Sequence, residues 1–189
     1  MAPRRHRTQY YWDRGQMNQL LGKDPKQTLW IRLREASGRM LSPDVIVGDE
    51  DTAGKISLGW DPDRVTGFFT ARGLLTESGT PVPSELGRPR NEDRLTEAQE
   101  AAFMARWTSV PKRYLGTRQV MDLFGMTDTA LRDRRRRGTF LPPDVVIGSA
   151  PTELVDGVEV PTYQLAYGVV HGWDRHRLEA FGRQEGLID

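Results

Sequence analysis

Arginine stands at positions 132, 134, 135, 136 and 137, inside the stretch TDTALRDRRRRGTFLPPDVVIG that runs from Thr127 to Gly148. A guanidinium is a planar fork of donors that fits the O6 and N7 acceptors of guanine and pairs equally well with phosphate oxygens. Such a cluster is suited to gripping an anionic polymer rather than to making or breaking bonds. Thr127 is placed to cap a helix. Leu131 is that helix's one strong apolar residue, and Gly138 sits where a left-handed residue ends it. At about 100° per residue, with Leu131 inward, the opposite face carries Thr129, Asp133 and Arg136, with Arg132 and Arg137 beside them. Arg134 and Arg135 lie nearer the body of the domain, where phosphates are the natural ligands. Thr129 suits a thymine methyl, and Asp133 either accepts from a cytosine amine or orients an arginine. Thr127, at the helix start, belongs to the same candidate surface. After the glycine, FLPPDVVIG reads as a turn into a short strand over 145–147.

The formal net charge is only +1, so distribution matters more than excess. MAPRRHR at the start and RDRRRR at 132–137 are local positive fields, while acids gather at 49–51, 92–100 and 153–159. Segregated charge of this kind is the footprint of a nucleic-acid binder. The competing reading is a solvated helix face whose arginines pair with carboxylates of a later helix, such as Glu179. Arg4, Arg5 and Arg7 read either as an arm that enters a minor groove or as a chain start that touches nothing.

Other chemistries find little support. The chain has no cysteine, which excludes disulfides, thiol chemistry and zinc ribbons. His6, His171 and His176 form no recognisable ligand spacing, so neither metal nor cofactor is expected. GDEDTAGK (48–55) has one residue too many between its glycines for a phosphate-binding loop, lacks Ser or Thr after the lysine, and is acidic. No catalytic residue is assigned, and an enzyme is not expected. No apolar run reaches membrane-spanning length and no leader segment is read. The expected location is cytoplasmic, associated with the nucleoid.

Three blocks recur in one order. Tyr11-Trp12-Asp13-Arg14-Gly15-Gln16 through Leu20-Leu21-Gly22 matches Tyr114-Leu115-Gly116-Thr117-Arg118-Gln119 through Leu123-Phe124-Gly125. GRMLSPDVIVG (38–48) matches GTFLPPDVVIG (138–148), and GWDPDRVTGFFTARGLL (59–75) matches GWDRHRLEAFGRQEGLI (172–188). The chain is a tandem duplication. Each copy predicts a short helix (about 14–21; 118–124) and then a second one, opened by Asp24-Pro25 or by Thr127. A hairpin follows, then a third helix capped by Asp61 or Asp174. Val65, Phe68 and Phe69, and likewise Leu178 and Phe181, face the core at helical spacing. Trp60 and Trp173 lock the hairpin onto that helix, base stacking being the alternative. Copy two adds an insertion, 149–171, with a turn at Asp156-Gly157 and a return strand over 162–167. A Pro-, Gly- and Ser-rich linker spans 76–94, and a capping box at Thr96–Gln99 opens an amphipathic helix.

These blocks resemble the winged helix-turn-helix domains of the MerR superfamily, specifically excisionase or AlpA-type DNA-binding proteins. The resemblance rests on Tyr114-Leu115-Gly116-Thr117, Leu123-Phe124-Gly125, Arg135-Arg136-Arg137-Gly138-Thr139-Phe140-Leu141-Pro142 and Gly172-Trp173-Asp174. It covers most of 112–188 and, less cleanly, 10–75. It implies a mainly α fold with small β wings (α+β), as two tandem winged helix-turn-helix domains at 1–78 and 111–189. These would be joined by a linker, 79–110, with a helix at about 95–108. It implies duplex DNA binding, with the second helix in the major groove and the wing on a backbone or minor groove. Two departures stand out. Arg134 occupies a position where the family has an apolar core residue. In copy one, Leu29, Trp30, Ile31 and Leu33 surround the helix, a pattern expected of a buried element. There Lys26, Gln27, Arg32 and Arg34 are the candidate DNA contacts, and 25–37 or 95–107 could carry self-association or a protein partner.

The expected function is sequence-specific double-stranded DNA binding, as a transcription regulator or an excisionase-like accessory factor of a phage or mobile element. A protein-interaction adaptor, or a plasmid partition or replication protein, are the alternatives.

Overall fold

The structure, a computed structural model, describes residues 7–48, 56–83, 95–148, 152–155, 158–161 and 168–189. Its helices are α1 (Arg14–Leu20), α2 (Leu29–Ala36), α3 (Pro62–Ala71), α4 (Glu97–Ala105), α5 (Thr117–Phe124), α6 (Asp128–Arg136) and α7 (Arg175–Gln184). Its strands are β1 (Gln9–Tyr11), β2 (Val45–Val47), β3 (Ser57–Gly59), β4 (Lys112–Gly116), β5 (Val145–Ile147), β6 (Thr152–Val155), β7 (Val158–Pro161) and β8 (Val170–Trp173). The chain divides into two compact units. One holds Met1–Tyr11, Val45–Gly59 and Lys112–Asp189; the other holds Trp12–Asp44 and Trp60–Pro111.

The first unit is built on a six-stranded mixed sheet in the order β1-β5-β8-β4-β2-β3. The antiparallel pairs β2–β3 and β5–β8 are the matched hairpins of the two copies. The first strands are exchanged between copies. Strand β1 of copy one runs parallel to β5 of copy two, Gln9 opposite Val145. Strand β4 of copy two runs parallel to β2 of copy one, Lys112 opposite Val45. The result is a nearly closed barrel. Val45, Val47, Val145 and Ile147 fill it, with Tyr11, Tyr114 and Val170 packed against them.

Two glycines make that interior possible. A Cβ on Gly59 would lie 2.8 Å from Val45 Cγ2 and 2.9 Å from both Ile147 Cγ1 and Tyr11 Cβ. A Cβ on Gly172 would lie 2.7 Å from Val145 Cγ2 and Val47 Cγ2, and 2.9 Å from Tyr114 Cβ. These are the same position in the two copies, and their neighbours are matched pairs: Val45 with Val145, Ile147 with Val47, and Tyr11 with Tyr114.

The expected fold, mainly α with small wings in two tandem winged domains, is overturned by this sheet. Strands from both copies form one mixed β-structure, and neither hairpin is an isolated wing. The strands are only three to five residues long, too short for an alternating pattern to announce them. Gln9–Tyr11 and Lys112–Gly116 read from sequence only as lead-ins to helices, because their partners lie far away along the chain. The strand that returns to β5 is β8, with His171 opposite Val146. The expected return strand over 162–167 and the turn at Asp156-Gly157 lie outside the described residues; β6 and β7 pair antiparallel, Val155 opposite Val158.

Helices α5, α6 and α7 close a core of Leu115, Val120, Phe124, Leu131, Phe140, Trp173 and Leu178. Its aromatic rings meet edge to face, Phe140 with Phe124, Trp173 and Phe181, the favoured geometry for such pairs. Thr127 Oγ1 accepts from the Ala130 N–H at 3.2 Å. Gly138 adopts φ 68°, so both ends of α6 are fixed by the residues that its sequence supplies.

The second unit repeats these contacts with copy-one residues. Trp60 Nε1 donates to Leu41 O at 3.2 Å, as Trp173 Nε1 does to Leu141 O at 3.1 Å. Asp61 and Asp174 cap their helices, and their own N–H groups donate to Asp44 and Asp144. Arg64 pairs with Asp44 at 2.7 Å, as Arg177 does with Asp144 at 2.8 Å. Both tryptophans are fully buried, which leaves neither free to stack on a base. The amphipathic segment at 95–107 forms α4 and packs on α3. Trp107 meets Phe68 edge to face, Arg72 pairs with Glu100, and Arg64 donates to Trp107 O. The first part of the expected linker is ordered by a Leu75–Pro81 bridge.

Two expectations for copy one also change. The second helix starts after Thr28, not at Asp24-Pro25. Asp24 instead accepts from the Lys26 N–H at 2.9 Å, closing a turn, and buried Asn18 donates from Nδ2 to Gln27 O at 2.7 Å and holds that turn down. Nor is α2 buried all round. Ile31 is buried, but Leu29 is 66% and Leu33 61% exposed.

Alanine at Gly172 should lower stability by ~1–3 kcal/mol, the usual cost of overpacking a filled interior. Gly59→Ala should do the same, because it meets the same barrel from the matched strand. Urea unfolding of each variant reads this directly, and an unchanged midpoint would show that the interior has room to spare.

Candidate nucleic-acid interface

Helix α6 separates its two faces cleanly. Leu131 is 1% exposed and joins the core, as the inward placement of that residue requires. On the outer side, Arg132 reaches Asp128 at 2.7 Å and Arg136 reaches Asp133 at 3.3 Å, with Arg132 58% and Arg136 77% exposed. Arg137 Nε donates to Asp133 O at 3.2 Å. None of these arginines pairs with Glu179, which is turned toward Arg175 of its own helix. Exposed pairs spaced three or four residues apart on one helix contribute only ~0.3–0.5 kcal/mol. They hold the guanidinium groups outward and are released at little cost to a stronger acceptor. Thr129 is exposed and Asp133 partly so on the same stripe, while Asp128 in the first turn and the arginines of the last turn both suit the helix dipole.

The cluster is not uniform. Arg134 is half-buried. Arg135, placed from sequence near phosphates, turns inward and lies over the Trp173 ring, 5.4 Å from its centroid. Burial holds its guanidinium below the ordinary arginine range, and among the described residues its Nη2 has no hydrogen-bond partner. His171 sits beside the same ring, 6.1 Å away. Its pKa is pushed down to about 4, first by burial and then by the charge of Arg135.

In copy one the matched helix presents Leu29, Arg32, Leu33 and Ala36 where α6 presents Thr129, Arg132, Asp133 and Arg136. Lys26, Gln27 and Arg32 are exposed. Arg34 is half-buried and lies over Trp30, 4.6 Å from its centroid, with Lys23 Nζ at 4.0 Å from the same ring. Both cations are held below their ordinary pKa. Burial is the main cause for each; Arg34 also acts on Lys23, while Arg72 and Arg39 act on Arg34. Lys23 and Arg39 were not among the candidates read from sequence, and Leu29 and Leu33 were read there only as part of the apolar helix offered to a partner. The Lys23–Trp30–Arg34 stack joins a turn to a helix and left no periodic signal, although Trp30 and Arg34 stand one helical turn apart. Arg7 is exposed, while Arg4, Arg5 and Lys55 lie outside the described residues.

Among the described residues, no group of three or more His, Asp or Glu side chains gathers to hold a metal ion. Nor is any helix there long and apolar enough to cross a membrane. No family model, no curated protein and no solved structure matches the chain.

His171 makes stability depend on pH. The folded chain keeps its imidazole neutral down to about pH 4, whereas the unfolded chain takes up a proton near pH 6.5. Below that point the unfolded state binds more protons, so the stabilisation is complete above pH 6.5 and is lost as the pH falls toward 4. Thermal or urea unfolding should show a loss of ~2–3 kcal/mol between pH 7 and 4.5 that His171→Leu removes. Leucine is the residue that copy one carries at this place, Leu58. Parallel pH curves for the two proteins would show that the imidazole titrates normally in the fold.

Proposed function

We propose that the chain is a sequence-specific double-stranded DNA-binding protein that lays α6 in the major groove. The observation that carries the reading is the outward stripe of α6, where Thr129, Arg132, Asp133 and Arg136 project from a capped helix anchored by Leu131. Arg132 and Arg136 are the base-reading candidates, with guanine as the preferred partner. Arg134 and Arg137 lie at the helix end, where phosphates are the natural ligands. Arg135 contributes charge from beneath rather than a contact. Copy one supplies a second surface through Lys26, Gln27 and Arg32. Because the two stripes differ, the target is two dissimilar half-sites and not a palindrome. A transcription regulator or an excisionase-like accessory factor of a phage or mobile element is the role that this grip suits, in line with the MerR-like and excisionase-like motifs of the sequence.

A second reading, a protein-interaction adaptor, draws on the exposed leucines of α2. It differs in its salt response, because only a DNA reader releases counterions in proportion to the phosphates that it neutralises.

Selection of genomic fragments by the intact chain should enrich a defined duplex. Anisotropy on that duplex should show affinity falling steeply with salt. Arg132→Ala with Arg136→Ala should weaken binding at least tenfold, since each guanine contact is worth ~1–3 kcal/mol of discrimination. Enrichment no better than random fragments would sink the DNA reading.

A further inference from the structure

The outward stripe of α2 is an Arg between apolar side chains, and among the described residues nothing covers it. Leu29, Arg32, Leu33 and Ala36 recur at the spacing of one helix face, opposite buried Ile31, and the two leucines are 66% and 61% exposed. They stand where copy two has Thr129, Arg132, Asp133 and Arg136. The equivalence is structural as well as sequential. Ile31 and Leu131 are the buried residue of their helices, and Gly38 and Gly138 end them with φ 67° and 68°. The next residue closes each helix in the same way, Arg39 N–H donating to Arg34 O at 2.8 Å and Thr139 N–H to Arg134 O at 2.9 Å. Arg32 keeps the arginine of Arg132, while the polar neighbours of Arg132 become apolar.

The charges around the stripe restrict what could cover it. Lys23, Lys26, Arg32, Arg34 and Arg39 all lie on or beside α2, and among the described residues none of them makes an ion pair; Glu100, whose charge reaches Arg34 and Arg39, is itself held by Arg72. The only acid of the helix, Glu35, is already bound by Arg14 at 2.7 Å. An apolar strip in a frame of unpaired cations is complementary to a surface with methyl groups between two rows of anions. The major groove of thymine-containing DNA has that form, since each thymine presents its C5-methyl between the phosphate backbones.

Resting on the DNA reading above, we propose that α2 reads thymine methyl groups through Leu29 and Leu33, with Arg32 on an adjoining guanine and the surrounding cations on phosphates. The two copies then divide the recognition. Helix α6 selects by hydrogen bonds and α2 by apolar contact, so one half-site is thymine-rich around a single G·C pair.

The test uses the intact chain and the duplex that it selects. Each thymine is replaced in turn by deoxyuridine, which removes only the methyl. Binding should fall about fourfold at each contacted thymine, the factor that corresponds to burying one carbon. The variant Leu29→Ser with Leu33→Ser changes exposed residues only. It should bind more weakly and lose the distinction between thymine and deoxyuridine at those positions alone. A duplex that binds equally with either base, or a serine variant that keeps full affinity because the leucines serve a protein partner, overturns this proposal while leaving the arginine-dependent binding of α6 in place. Failure to select any duplex overturns both.

Discussion

The space inside the six-stranded barrel governs much of what the rest of the chain can do. Four branched side chains and two tyrosines fill it, and at positions 59 and 172 not even a Cβ fits. The strand alternation then sets the next two residues. Beside each glycine, the tryptophan leaves the barrel side and becomes the buried centre of a helical core. The aspartate after it caps the following helix with its side chain. Its N–H binds Asp44 or Asp144, and that carboxylate also holds Arg64 or Arg177. Gly-Trp-Asp is therefore one structural device, in which a missing side chain, a large side chain and a cap each need the others in register.

This device explains how much could be read from sequence. The repeat, the caps at Thr96, Thr127, Asp61 and Asp174, the glycines that end helices, and the inward turn of Leu131 all depend on neighbours within a few residues, and they are legible there. The exchange of first strands was not. Gln9–Tyr11 and Lys112–Gly116 are stabilised by parallel partners from the other copy, and strands of three and five residues carry too little periodicity to announce themselves. The burial of α2 failed as an expectation for a related reason. Apolar residues all round a helix suggest a buried element only if every face has a neighbour. Here Trp30 is covered by two cations, and Leu29 and Leu33 face outward.

The candidate site was half legible. Spacing alone separates Leu131 from the stripe at 129, 132, 133 and 136. It could not place Arg135, because the attraction of a guanidinium for a tryptophan face does not depend on helical phase. Copy one solves the same local problem differently. Arg14 lies over Trp60, 5.6 Å from its centroid, and Glu35 neutralises it with paired hydrogen bonds of 2.7–3.0 Å. In copy two, Thr117 replaces Arg14 and Arg135 replaces Glu35. The tryptophan keeps a cation, but the acid is gone, and among the described residues no carboxylate pairs with Arg135. Burial lowers the pKa of His171, and the charge of Arg135 lowers it further.

Duplication within one chain changes what such a scaffold can recognise. Two identical subunits present the same helix stripe twice and are bound to symmetric targets. Here the residues that build the sheet and cores are constrained in matched pairs: Gly59 with Gly172, Trp60 with Trp173, Asp44 with Asp144. The outward positions 29 and 129, 33 and 133, and 36 and 136 meet no such constraint, and all three pairs differ in chemical type. Because each copy lends its first strand to the other, the copies are held together through the sheet and not only through the segment that joins them. One copy can then change its outer stripe without loosening its hold on the other. That allows a polar outer stripe and an apolar one to persist on a common architecture.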